Sequence, residues 1–181
     1  MSDAPALPAF PGLTGERIAL RTFAESDIGP AYLGWLNDPE TTRFSNQRFV
    51  THTETSARQY LSSFQSSSNL FVAIAMRDTG QSIGTLTAYR NDHHCTCDMG
   101  IMVGDRTMWG GGYGQEAWNL MAEWLLGPSR IRKLTAGTLA CNIGMVRIME
   151  RAGMTHEASR KAQEIVEGAP QDIVYYAKFA D

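Results

Sequence analysis

The run Val103-Gly104-Asp105-Arg106-Thr107-Met108-Trp109-Gly110-Gly111-Gly112-Tyr113-Gly114 is the segment of this 181-residue chain whose residue types point most directly to chemistry. It follows a strand-like stretch and opens a run of apolar residues at helical spacing. Glycines let consecutive backbone amides turn inward with no Cβ in the way, and a helix N-terminus carries about half a positive charge. Such a segment cradles phosphate; read locally, it is also compatible with a plain flexible loop. No Lys followed by Ser or Thr closes it, which excludes a P-loop, and no carboxylate stands where a Rossmann ribose contact needs one. A phosphate-bearing ligand of another kind is left.

Other chemistry is weaker. His93, His94, Cys95 and Cys97 are of zinc-ligating types, but a closed zinc site draws two pairs of ligands from separated segments, and Cys141, His52 and His156 each stand alone. No metal is expected. Three cysteines are an odd count, so reduced thiols are the default. A net charge of -3 and the lack of any Lys or Arg run argue against nucleic acid as a partner. The longest apolar runs, such as Phe71 to Met76, are far too short to cross a bilayer, so no membrane partner and a cytoplasmic location are expected.

The elements that must position these groups follow from periodicity. Residues 1–15, rich in Pro and Gly, are expected to form a loosely held lead-in, with one folded domain over 16–181. Ile18 and Leu20 alternate with polar neighbours as in a half-buried strand. Ser26 and Asp27 mark a helix start, with Tyr32, Leu33 and Leu36 as its apolar stripe; Asn37 to Pro39 end it. Thr51 and Glu54 have capping-box spacing for a second helix to about Phe64. Strands are expected over Leu70 to Met76, about Ile83 to Tyr89, and Thr96 to Val103, with Asp78, Thr79 and Gly80 turning the first hairpin. Ala117, Leu120, Met121, Trp124 and Leu125 make the helix beyond the glycines. A strand over Lys133 to Ala140, a helix over Asn142 to Arg151 closed by Gly153, and strands over Thr155 to Val166 and Asp172 to Phe179 complete the chain. This order predicts a three-layer α/β/α sandwich around one mixed, mostly antiparallel sheet.

WGGGYGQEA at Trp109 to Ala117 resembles the coenzyme-binding motif of the GNAT superfamily, in the form used by its RimJ/RimL-type branch. GERIALR at Gly15 to Arg21, YLGWLNDPE at Tyr32 to Glu40, DMGIMVGD at Asp98 to Asp105 and NIGMVRIMERAGM at Asn142 to Met154 are similar to that branch in the same order. The trailing Glu157, Arg160, Gly168, Asp172 and Tyr175 also resemble it. The resemblance implies an acetyl-CoA-dependent N-acetyltransferase whose central sheet splays to admit the pantetheine arm. It implies coenzyme contacts from Ile101, Met102, Val103, Trp109, Gly110, Gly111, Gly112, Tyr113 and Gly114, with Asn142 beside the pantetheine and Arg147 on a phosphate. Val103 would pair with pantetheine through its backbone, and the Ile101 amide would face the acetyl carbonyl, where a preorganised donor is worth roughly 3 to 4 kcal/mol.

A primary amine with a pKa near 10.4 needs roughly 4 to 5 kcal/mol to populate its neutral form at pH 7, so a base is required. Asp98 matches the branch's acidic position, with His93 and His94 as alternatives. Asp98 and Ile101 would lie on opposite faces of an unbroken strand, so a bulge is expected between them. Met145 stands where the branch commonly has Ser; Tyr175 or Tyr176 would then protonate the leaving thiolate. By analogy the first two helices shape the acceptor cleft, placing Trp35, Asn37, Asn46 and Gln47 there. An amino sugar, free or nucleotide-linked, is the favoured acceptor; a protein N-terminus, a polyamine or an aminoglycoside is an alternative. A second class is a non-catalytic acyl-CoA sensor, a third a plain interaction domain. Dimers are common among similar proteins, so a homodimer is a further expectation.

Overall fold

The computed structural model describes residues 7–181. Eight strands form one sheet in the order β1-β2-β3-β4-β5-β6-β8-β7. They are β1 (Leu13–Thr14), β2 (Ile18–Thr22), β3 (Leu70–Met76), β4 (Ser82–Asn91), β5 (Thr96–Val103), β6 (Lys133–Leu139), β7 (Thr155–Val166) and β8 (Ala169–Phe179). Every neighbouring pair is antiparallel except β5 with β6. The helices are α1 (Pro30–Asn37), α2 (Pro39–Thr42), α3 (Glu54–Gln65), α4 (Tyr113–Leu126) and α5 (Ile143–Arg151).

Two cores, one on each face of the sheet, give the expected three layers. On one face Ile18, Leu20, Ile74, Leu86, Cys97, Met99 and Leu134 pack against Ala117, Trp118, Met121 and Leu125 of α4 and Met149 of α5. On the other, Phe23, Phe71 and Ala73 pack against Tyr32 and Leu36 of α1 and Ala57 and Phe64 of α3, with Met102 at the margin. The alternation read from β2 and β3 is thus the physical cause of the sandwich, since each face buries its own helix layer.

Three local expectations change. Of the lead-in, residues 1–6 lie outside the described residues, but from Leu7 the segment is docked: Leu7, Phe10 and Leu13 pack on the core, and the Phe10 ring meets Trp124 edge-on at 5.2 Å. Proline removes amide donors, not apolar surface, so such a run still packs. Ser26 and Asp27 do not open α1. Asp27 closes a 3-10 turn by accepting from the Ala24 amide and holds Arg21, while α1 starts at Pro30, whose fixed φ suits a first helical position. The cap of α3 is Thr53 with Ser56, each side chain bonding the other's amide, in place of Thr51 with Glu54.

Candidate active site

β5 and β6 pair only at Thr96–Lys133, Cys97–Leu134 and Asp98–Thr135. Beyond Asp98 the two strands part, β6 continuing alongside β8 to Leu139 and β5 alongside β4 to Val103. A V-shaped gap therefore opens in the middle of the sheet, with Asp98 at its fork. At its far end the Gly104 amide donates to the Ile83 carbonyl at 2.9 Å, which makes Ile83 and Gly104 a bonded pair. Bonded and non-bonded pairs alternate along an antiparallel ladder, so Val103 and Ile101 turn their N–H and C=O groups away from β4 and into the gap. The Val103 carbonyl is held there by the Trp109 indole at 2.7 Å. The Ile101 amide and carbonyl and the Val103 amide stay open to a strand-like guest.

No bulge interrupts β5 against β4. The bulge expected from sequence is thus absent, and the gap makes it unnecessary. Backbone polar groups lie in the plane of the sheet, between its faces, so the Ile101 amide and an Asp98 side chain on one face both reach a group inserted there. Met102 offers the gap nothing polar, because its backbone faces β4 and its side chain packs beside the α1 and α3 core.

The glycine segment closes the open end of the gap. Gly110 (φ 76°) and Gly112 (φ 82°) lie in the left-handed region, and Gly112 caps α4 from there. The first helical bond of α4 runs from the Glu116 amide to the Gly112 carbonyl, and the Gly111 amide donates to Met108. The amides of Gly110, Gly112, Tyr113, Gly114 and Gln115 have no partner among the described residues. That row of donors at a helix N-terminus fits a pyrophosphate. Gly114 also lets α4 approach the gap, since a Cβ there would meet Val103 Cγ2 at 3.2 Å.

Arg17 and Glu116, which the residue-by-residue reading passed over, hold this loop. The Glu116 carboxylate accepts the Arg17 amide at 2.8 Å and its Nε at 2.9 Å, while Arg17 Nη1 donates to the Gly111 carbonyl at 2.8 Å. The guanidinium also sits 4.5 Å from the centre of the Tyr113 ring. Burial alone would raise the Glu116 carboxyl, but the Arg17 and Ile18 amides and the Arg17 charge outweigh it and hold it below the usual range. The GERIALR resemblance was the signal that pointed to Arg17.

On the face of the sheet opposite α4, Asp98 accepts from the Thr135 hydroxyl at 2.8 Å. Solvent reaches this side chain in an open trough, yet the protein on either side disfavours its charge. Burial therefore raises the Asp98 carboxyl, and the Thr135 bond offsets part of that rise. Tyr175 shares this face: its ring covers Gly137, where a Cβ would fall 2.8 Å from Tyr175 Cε1. Tyr176 points the other way and donates to Glu150 at 3.1 Å. His93 and His94 lie in the β4–β5 turn, outside the gap.

Asn142 caps α5, its Oδ1 accepting the Met145 amide at 3.3 Å and its Nδ2 donating to Thr138 at 3.1 Å. Arg147 is exposed and makes no ion pair among the described residues. Trp35 lies flat against Gly104, where a Cβ would be 2.2 Å from its ring, and so ties α1 to the end of β5. Asn37 lines the cavity beneath the bridge described below, and its side-chain polar groups are committed to backbone. Its amide donates to Leu33 and His52 carbonyls, both at 2.9 Å, and accepts the His52 amide at 2.8 Å, because a helix end next to a turn needs its backbone groups satisfied. Asn46 reaches across to Glu164 at 3.2 Å, and Gln47 is exposed beside it.

That last contact belongs to a bridge. Arg43 pairs with Glu167 at 2.8 Å, Arg48 lies 3.7 Å from Glu164, and Arg48 also donates to the Ile165 carbonyl at 3.3 Å. Residues 43–48 hang from the β5 side of the gap and the tip of the β7–β8 hairpin from the β6 side, so these bonds span the gap on the Asp98 face. A cavity of about 430 Å³ lies beneath, lined by Leu36, Arg43, Gln47, Arg48, Val166 and Glu167. A larger one, about 520 Å³, lies away from the gap between α3 and the ends of β2 and β3. Among the described residues no group of three His, Cys, Asp or Glu is placed to hold a metal. No described helix is long and apolar enough to cross a membrane.

A sheet forked beside a helix with five open amides has counterparts. Residues 17–155 match the family profile of the acetyltransferase (GNAT) domain. The chain belongs to the GNAT acetyltransferase family. The fold is shared with an acetyltransferase (GNAT family) from Bacillus anthracis, 18% identical, with a TM-score of 0.80 over 93% of this chain and 98% of that one. It is shared with RimL, a ribosomal L7/L12 α-N-protein acetyltransferase in complex with coenzyme A, at 16% identity and a TM-score of 0.80 over 94% and 98%. A spermidine N-acetyltransferase from Vibrio cholerae, in complex with coenzyme A and spermine, gives 13% identity and a TM-score of 0.81 over 91% and 96%. No curated protein matches this GNAT chain in sequence. The chain is therefore an acetyl-CoA-dependent N-acetyltransferase.

Proposed function

We propose that this GNAT enzyme transfers acetyl to the primary amine of a small polar acceptor, by direct attack with both substrates bound, and that an amino sugar is the acceptor class. The observation that carries the reading is a set of main-chain groups unpartnered among the described residues, the Ile101 amide and carbonyl and the Val103 amide in the gap and the amides of Gly110, Gly112, Tyr113, Gly114 and Gln115 at α4. The thioester donor supplies an activated acetyl group when bound. The Gly110, Gly112, Tyr113, Gly114 and Gln115 amides would hold its pyrophosphate, Val103 would align the pantetheine, and the Ile101 amide would polarise the carbonyl. Asp98, at the fork and on the acceptor face, takes the proton from the amine. Tyr175, two residues along the gap, would return one to the thiolate through its hydroxyl. Met145 supplies no proton, and Tyr176 is committed to Glu150.

Calorimetry with acetyl-CoA and thiol release in the presence of amines test this together. Tight binding and turnover are expected. Gly112→Val forces a β-branched residue into a left-handed conformation, at about 1 to 2 kcal/mol, and crowds Arg17, so the dissociation constant should rise about tenfold or more. Heat from neither coenzyme A nor its acetyl ester would end the reading. Coenzyme binding without turnover of any amine would favour a sensor.

A further inference from the structure

Arg160 of β7 is exposed and has no role in the scheme above. Its guanidinium carbon lies 5.3 Å from the centre of the Tyr175 ring. Tyr175 covers Gly137 on the face that carries Thr135 and Asp98. Since Gly137 is two residues beyond Thr135, the ring stands about 7 Å along the gap from the fork. Its chain neighbour Lys161 is neutralised by Asp172 at 2.7 Å. Arg160 makes no ion pair or hydrogen bond among the described residues.

A guanidinium laid against an aromatic ring keeps its N–H edge free, and that planar fork matches the two oxygens of a carboxylate or phosphate. It lies on the face opposite α4, so the coenzyme pyrophosphate at the α4 N-terminus is not its partner. A polyamine would bring further positive charge toward it, which is unfavourable.

Resting on the proposed acetyl transfer, we infer that Arg160, shelved on Tyr175, determines acceptor specificity by binding an anionic group of the amine substrate. The acceptor is then an amino compound, such as an amino sugar, that also carries a phosphate or carboxylate. Arg160 would meet the anionic group of the acceptor and not the amine or the thioester, so its discrimination between acceptors acts on affinity; any effect it has on the chemical step through Tyr175 is the same for every acceptor.

The test compares D-glucosamine, D-glucosamine 6-phosphate, muramic acid and spermidine as acceptors, with calorimetry of each on the coenzyme A complex. The wild type should prefer the phosphate or the carboxylate sugar over glucosamine by about tenfold or more in kcat/KM, the choice between them naming the anion. Arg160→Ala should erase that preference through KM, with any change in kcat equal for all acceptors, and Arg160→Lys should restore part of it, at an unchanged Tm. A ratio that Arg160→Ala leaves intact, or a wild-type preference for glucosamine or spermidine, overturns the inference while leaving acetyl transfer standing. So does failure of both anionic sugars to bind the coenzyme complex. Failure of coenzyme A itself to bind overturns both.

Discussion

In the proposed reaction a single side chain, Asp98, is the base. Its carboxyl is raised by burial and partly pulled back by the Thr135 hydroxyl 2.8 Å away. A base acts in its charged form, so a raised pKa moves the acid limb of kcat upward: activity falls, as pH drops, earlier than an ordinary aspartate would dictate. Thr135→Val removes the offsetting bond and leaves the desolvation, so the limb should move further up. Asp98→Asn should lower kcat by about 100-fold or more and abolish that limb, with the KM for acetyl-CoA unchanged. A profile of kcat against pH in the three proteins measures this. An unshifted limb in Thr135→Val, or a normal profile in Asp98→Asn, removes Asp98 from the role. The same sign governs stability. A carboxyl raised by folding weakens the fold once ionised, so Asp98→Asn should not lower Tm at neutral pH.

At the scale of elements, the strands and α4 were legible because a buried sheet face and a helix stripe impose periods of two and 3.6 on the sequence. Gly110 and Gly112 were legible too, since few residues other than glycine take φ near 80°. The true cap of α3 was not. Thr51 and Thr53 both stand before a helical run, and only tertiary context selects the second. The fork after Asp98 left no mark in composition, because leaving a ladder requires no special residue. Nor did the clamp from β2 to α4, in which Arg17 and Glu116 are 99 positions apart. Its consequence is measurable. Arg17→Met should free the Gly111 carbonyl and loosen the cradle, raising the KM for acetyl-CoA about fivefold, the worth of one hydrogen bond near 1 kcal/mol. The KM for the amine should not move. Glu116 adds a pH signature: its carboxyl is held below the ordinary 4.5, so the stability it contributes is present above that pH and is lost as pH falls below it. Arg17→Met removes the side-chain share of that lowering and keeps the Arg17 and Ile18 amides, so it should reduce the acid-side slope of a Tm profile without abolishing it.

At the scale of the whole molecule, the two sides of the gap are joined on the Asp98 face by the bridge between residues 43–48 and the β7–β8 hairpin. β7 is an edge strand with little burial, so its tip is positioned by its turn and by that bridge. Glu167, with φ 51°, and Gly168 form a two-residue turn of the kind that matches strand twist, and Ala162, with φ 49°, is pinned where its amide donates to Asp172 at 2.9 Å. The pairs themselves are partly exposed: side-chain exposure is 42% and 66% for Arg43 and Glu167, and 15% and 23% for Arg48 and Glu164. Pairs of this kind are worth roughly 0 to 1 kcal/mol and are screened by salt. The bridge thus contributes little to global stability and much to the shape of the acceptor side. Replacing both Glu164 and Glu167 by Gln should leave Tm within a few degrees of the wild type and the KM for acetyl-CoA unchanged, while the amine KM rises about threefold to tenfold, the effect of losing up to two such pairs. Raising the ionic strength should reproduce that rise in the wild type and have a smaller effect on the double variant. Equal salt sensitivity in the two proteins would mean that the hairpin tip and residues 43–48 do not act together on the acceptor.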